Sequence, residues 1–120
     1  MKILEIAFFG YPVTDLRRAR RFYETTLGLA PARIVGDDEH GGVEYEVGGA
    51  TLSITNRLGF FRPARDGGMA VLEVADFDAA LAHLRAAGVT MVAEPFESPA
   101  CRAAVFADPD GNSLGLHRRK

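Results

Sequence analysis

The sequence predicts an α+β fold built from two tandem βαβββ modules, each a curved mixed sheet with one helix on its convex face. Three observations carry this. The order strand, helix, three strands occurs twice along the 120 residues. Each helical stripe is preceded by an aspartate and followed by a glycine, the expected start and stop signals. The two halves also superpose in sequence: Pro-Val-Thr-Asp (12–15) lies over Glu-Val-Ala-Asp (73–76), and Thr-Leu-Ser-Ile-Thr (51–55) over Ser-Leu-Gly-Leu-His (113–117). A repeat of this length present in two copies is not a solenoid unit; it suits a pseudo-symmetric pair of modules.

Met1 to Val13 is rich in Ile, Leu, Phe, Tyr and Val and reads as a long strand. Asp15 stands at the N-cap of a helix whose apolar stripe is Leu16, Ala19, Phe22, Tyr23, Thr26 and Leu27, ended by Gly28. The arginines between those positions, Arg17, Arg18, Arg20 and Arg21, read as a solvated helix face. Ala30–Val35, Val43–Val47 and Thr51–Asn56 are strands separated by Gly- and Asp-rich turns. Residues 57–68 lack a period and read as a linker, in which Phe60 and Phe61 are a plug or an interface contact. Met69–Ala75 restarts the pattern, with Asp76 as the second N-cap, Phe77, Ala80, Leu81 and Leu84 as the second stripe, and Gly88 as its stop. Val89–Ala93, Arg102–Ala107 and Ser113–His117 complete the second module. Asp108-Pro-Asp-Gly-Asn lacks the glycine and glutamate positions of a calcium loop and reads as a turn, with Gly111 at positive φ. The organisation is one domain over 1–120: module one 1–56, linker 57–68, module two 69–120.

Composition narrows the function. Fourteen basic against sixteen acidic residues give a net charge of −2, which offers no general attraction for phosphate backbones, so no nucleic-acid partner is expected. The apolar run Ile6–Phe9 is too short and too broken for a signal peptide or a membrane span, so no membrane partner is expected. The single cysteine, Cys101, excludes an intramolecular disulfide and a Cys-x-x-Cys zinc motif, and fits a reducing, cytoplasmic setting. Cys101 and His117 are a nucleophile–base pair in principle, but nothing in the sequence brings them together, and a lone Cys is more often a small packed residue. His40 and His83 read as solvent residues. No nucleotide-binding glycine motif is present.

Taken in order, Pro-Val-Thr-Asp-Leu (12–16), Ala-Arg-Arg-Phe-Tyr-Glu-Thr-Thr-Leu-Gly (19–28), Glu-Val-Ala-Asp-Phe-Asp-Ala-Ala (73–80) and Asp-Pro-Asp-Gly-Asn (108–112) resemble the vicinal-oxygen-chelate superfamily. That family includes glyoxalase I, extradiol dioxygenases, fosfomycin-resistance proteins and bleomycin-binding proteins. The resemblance spans essentially the whole chain. It implies the glyoxalase/bleomycin-resistance/dioxygenase-type fold, with a cleft between modules and a two-fold homodimer. Metal-using members place four ligands on the concave surface, on the first and last strand of each module. By the same offsets from the capping Asp and the turn Asn, those positions here are Phe8, Ser53, Met69 and Gly115. None is a usual donor for a divalent ion, so no metal and no cofactor is expected, and neither is glyoxalase I or dioxygenase activity. Fold alone does not fix the activity.

The residues expected to meet a ligand are Phe8, Thr51, Ser53, Met69, Glu73, Gly115 and His117. Phe8 and Met69 supply a ring and a polarizable thioether, Thr51, Ser53 and His117 neutral hydrogen bonds, and Glu73 a carboxylate. Glu44 and Glu46 share one face of their strand, which is either the cleft or solvent. The resulting expectation is a metal-free protein that captures a small organic molecule. Two other readings stand beside it: an enzyme, lyase or dioxygenase-like, using cleft acids or a non-standard metal site, and an interaction module with a closed cleft.

Overall fold

The computed structural model describes residues 1–57 and 59–120; Leu58, inside the predicted linker, lies outside the described residues. The chain divides into two compact units, Met1–Pro63 and Ala64–Lys120.

Unit 1 runs β1 (Phe9–Pro12), α1 (Leu16–Arg20), a π-helical turn (Arg21–Thr26), β2 (Pro31–Gly36), β3 (Gly41–Val47) and β4 (Ala50–Thr55). Its sheet has the order β1-β4-β3-β2, with β1 parallel to β4 and the other pairs antiparallel. Asp15 caps α1 by accepting the Arg18 N–H at 3.0 Å. The π turn closes through the Leu27 N–H on the Phe22 carbonyl at 2.9 Å, and Gly28 follows at φ +74. The stripe residues Leu16, Ala19, Phe22 and Tyr23 are buried against Tyr11, Val43, Tyr45, Leu52 and Ile54 of the sheet. Tyr23 and Tyr45 stack with ring centroids 6.0 Å apart. The Tyr45 hydroxyl donates to Glu24 Oε1 at 3.1 Å, and burial, then the Glu24 charge, raises its pKa. Arg20 in turn holds Glu24 at 2.7 Å.

Unit 2 repeats the plan with β5 (Ala70–Glu73), α2 (Phe77–Ala86), β6 (Met91–Glu97), β7 (Cys101–Ala107) and β8 (Ser113–Arg119), in the order β5-β8-β7-β6. Asp76 caps α2 by accepting the Ala79 N–H at 2.9 Å. Phe77, Leu81 and Leu84 are buried with Ala104, Phe106, Leu114 and Leu116. Asp108–Asn112 forms the expected turn: Asp108 Oδ1 accepts the N–H groups of Asp110 and Asn112, each at 2.9 Å, and Gly111 sits at φ +87.

Three elements depart from expectation. The first strand is not Met1–Val13 but Phe9–Pro12. Phe9 pairs with Leu52, and β4 begins only two residues earlier, after the Gly48–Gly49 turn. Residues 1–6 therefore run past the end of their partner strand, and Ile3, Leu4 and Ile6 are exposed. The strand after Gly88 is Met91–Glu97 rather than Val89–Ala93, continuing through Pro95. It lies at the sheet edge, and Pro95 falls where the register shifts between Ala93 and Phe96, a position that needs no ladder donor. The fifth strand loses Met69, Val74 and Ala75 from its predicted span.

Candidate functional site

In each sheet one face packs on the helix and the other is open. On β1 and β4 the large side chains buried on the helix face are Tyr11, Leu52 and Ile54, so Phe8, Gly10, Thr51, Ser53 and Thr55 take the opposite parity, on which only Pro12, at the end of β1, is buried. The open face of unit 1 holds a cavity of about 470 Å³, within the usual range for small-molecule sites. Phe8, Val35 and Phe61 form its apolar wall; Ser53, Thr55, Glu44, His40 and Arg57 bring polar groups to it. A side chain at Gly10 would meet the Phe8 ring at 3.4 Å and the Phe61 ring at 3.8 Å. Glycine here is the gap over which the two rings close.

Of the residues singled out in unit 1, Phe8 and Ser53 meet in this cavity. Thr51 is held by Glu46, donating to Oε1 at 2.8 Å, and does not line it. Glu44, left open between cleft and solvent, stands opposite Ser53 in the β3–β4 ladder and lines the cavity. His40, read as a solvent residue, is exposed and also lines it. Phe61 and Arg57, which follow β4, had no period to mark them; only the fold returns the chain over the sheet at that point.

In unit 2, Glu73 pairs with His117 across β5 and β8, and their side chains hydrogen-bond through His117 Nδ1 and Glu73 Oε2. Glu73 Oε1 also accepts the Arg119 N–H at 2.8 Å. These contacts, the Arg119 N–H first and His117 second, hold the Glu73 carboxyl below its ordinary value, while Glu73 and then Cys101 raise the His117 imidazole. Ser98 first and His117 second lower the Cys101 thiol below its ordinary value. The β7–β8 register, with Cys101 opposite Arg119 and Ala103 opposite His117, places Cys101 and His117, unlinked by sequence alone, diagonally on one face. Met69 is 37% exposed. Gly115 faces Val71 across β5 and β8, and a Cβ there would stand 3.0 Å from a Val71 methyl.

The positions at which the resemblance implies metal ligands do not carry the usual donors for a divalent ion. Phe8, Ser53, Met69 and Gly115 supply no carboxylate or imidazole, and Val71 occupies the space a longer side chain at 115 would need. Among the described residues no three His, Cys, Asp or Glu side chains cluster as ligands. Nor is any described helix long and apolar enough to cross a membrane.

Residues 5–116 match the model of the Glyoxalase/Bleomycin resistance protein/Dioxygenase superfamily. The chain belongs to that family, in agreement with the resemblance read from its motifs. Among solved structures it is similar to TnmS3, an antibiotic binding protein from Streptomyces sp. CB03234, at 29% identity and TM-score 0.82, covering 100% of this chain and 99% of that one. It is also similar to a glyoxalase/bleomycin resistance protein from the same Streptomyces strain, at 31% identity and TM-score 0.76, covering 93% and 98%. The genomically encoded fosfomycin resistance protein FosX from Listeria monocytogenes shares the fold at 15% identity and TM-score 0.76, covering 99% and 96%. No curated protein matches the chain.

Proposed function

We propose that this protein binds a small aromatic organic molecule, of the kind an antibiotic presents, on the open face of unit 1, and does so without a metal. The observation that carries the reading is the 470 Å³ cavity walled by Phe8, Phe61 and Val35, with Ser53, Thr55, Glu44 and Arg57 placed to orient a ligand. Aromatic side chains supply large contact area and stacking, and the few polar groups supply orientation. The similarity to an antibiotic binding protein at 29% identity supports the ligand class. Phe8 and Ser53 are the contacts proposed from both sequence and geometry; Met69, Glu73, Gly115 and His117 belong to the other unit and are not needed for this cavity.

Thermal-shift screening against aromatic antibiotics, followed by calorimetry on the hits, tests the reading. A hit should lose about 1–3 kcal/mol of affinity in Phe8→Ala, through lost apolar contact. If no aromatic compound binds, or if Phe8→Ala and Ser53→Ala leave affinity unchanged, the cavity is not the site. Elemental analysis of protein purified without chelator should find no stoichiometric Zn, Ni, Mn or Fe. The protein is further proposed to be a homodimer in a reducing, cytoplasmic setting. Ile3, Leu4, Ile6 and Phe8 lie exposed on one short segment, an apolar stretch that isolated soluble chains seldom leave uncovered. Isologous pairing is the commonest way to cover such a surface. Light scattering that returns the 13.0 kDa monomer at micromolar concentration overturns it.

A further inference from the structure

The open face of unit 2 carries a constellation that the cavity of unit 1 does not use. Strand pairing sets Phe96 opposite Ala103, Ala103 opposite His117, and His117 opposite Glu73, one row across β6, β7, β8 and β5. Cross-strand partners point to the same face, so all four side chains share it. Cys101 lies two residues before Ala103 and opposite Arg119, so it stands diagonally next to His117 on that face. Ala103 contributes only a methyl group between the exposed Phe96 ring and the imidazole. Val71, 52% exposed, shares the parity of Glu73 and extends the apolar surface beside the pair.

We propose that Cys101, His117 and Glu73 form a thiol-addition site that takes a soft carbon electrophile, an α,β-unsaturated carbonyl compound of the enone or quinone class, onto Cys101 Sγ. This site is independent of the unit 1 cavity. The arrangement follows the logic of an activated nucleophile: a thiol beside an imidazole, and the imidazole oriented by a carboxylate. Glu73 is itself anchored by the Arg119 N–H at 2.8 Å and faces Arg118 Nη1 at 3.8 Å. Ser98 Oγ stands 3.5 Å from Cys101 Sγ. Lys120, paired with Glu97, adds positive charge near the thiol. Glu73 favours the protonated imidazole, so the Cys101–His117 pair is shifted from thiol and neutral imidazole toward thiolate and imidazolium, in the direction of the shifts described above.

In the reaction the Cys101 thiol proton passes to His117. The thiolate pair forms a C–S bond at the β-carbon, the C=C π pair moves toward the carbonyl as an enolate, and the imidazolium returns the proton to the α-carbon. One thioether forms, one π bond is lost, and no oxidant or reductant is consumed. Phe96 and Val71 supply apolar contact for the conjugated body of the electrophile.

N-Ethylmaleimide, a cyclic enone-type probe, tests the site by intact-mass kinetics on the folded full chain. A single adduct on Cys101 is expected. At about pH 6 its rate constant should exceed that of N-acetylcysteine by roughly tenfold, because more thiolate is present, with part of the gain offset by its lower nucleophilicity. His117→Gln should lower the rate at about pH 6 by roughly fivefold or more, yet change it little at about pH 9.5, where the thiol ionises without help. Glu73→Gln should lie between the two. A wild-type rate equal to that of N-acetylcysteine, adduct formation only on unfolding, or an unchanged pH profile in His117→Gln overturns the proposal. Should His117→Gln fail to fold by circular dichroism, ultraviolet titration of the wild-type thiolate against Cys101→Ser decides. A midpoint below the ordinary thiol range supports the site, and an ordinary midpoint overturns it.

Discussion

The two units share topology, strand order and capping, yet their open faces differ, and the difference turns on where the small residue sits. In unit 1 the facing pair on the first and last strands is Gly10 and Ser53; in unit 2 it is Val71 and Gly115. Glycine on the first strand lets Phe8 and Phe61 close over bare backbone and leaves a cavity. Glycine on the last strand lets the Val71 methyls lie against backbone instead, and fills the corresponding space. One position of glycine makes a site for a molecule, the other a flat apolar surface beside a thiol. The cores differ in the same spirit. Unit 1 buries a tyrosine stack tied by Glu24 and Arg20, whereas unit 2 buries leucines around Phe106.

The comparison is tested most severely in the cores. Phe106, fully buried, should cost about 3–5 kcal/mol on truncation to alanine, read by urea unfolding. A loss well below that would mean that unit 2 repacks where the rigid tyrosine stack of unit 1 does not. The glycine exchange comes next. Gly115→Ala should cost about 1–3 kcal/mol by overpacking against Val71, and the double variant with Val71→Ala should recover most of it. Gly10→Val, which gives unit 1 the residue of unit 2, should leave stability nearly unchanged, since only the movable rings of Phe8 and Phe61 are in its way. Ligand affinity should fall by roughly tenfold, about 1.4 kcal/mol. If affinity survives, the placement of glycine is not what makes the two faces different.

The helix caps are where the units should behave alike. Asp15→Ala and Asp76→Ala each remove one side-chain acceptor from a first-turn N–H and should each cost about 1 kcal/mol in thermal unfolding. Unequal losses would show that the π turn of unit 1 changes what its cap is worth. The smallest effect is the pH dependence that the Glu73–His117 pair of unit 2 contributes. Glu73 has a lowered pKa, so its contribution is present above its ordinary value of 4.5 and is lost as pH falls through the folded value. His117 has a raised pKa, so its contribution is full below its ordinary value of 6.5 and is lost as pH rises through the folded value. Stability should therefore be highest between the two and drop on either side, and Glu73→Gln should flatten both limbs in a series of melting curves.

Much of this molecule is legible in the chain because the signals are local. The Asp caps, the helical stripes, the Gly28 and Gly88 stops, the alternation in Thr51–Thr55 and the Asp108–Asn112 turn each follow from neighbouring residues, and the repeat of that order identified the family. The parity that put Phe8 and Ser53 on the open face is equally local, a consequence of the two-residue period of a strand. What the tertiary structure decided is every feature that depends on a partner far away in sequence. Residues 1–6 stay outside the first strand because they run past the end of its partner, not because they lack strand-forming residues. Phe61, Arg57 and His40 reach the cavity, and Cys101 reaches His117, only through loop paths and ladder registers that no spacing encodes. Local rules assign a face to each side chain; only pairing and packing decide which side chains meet there.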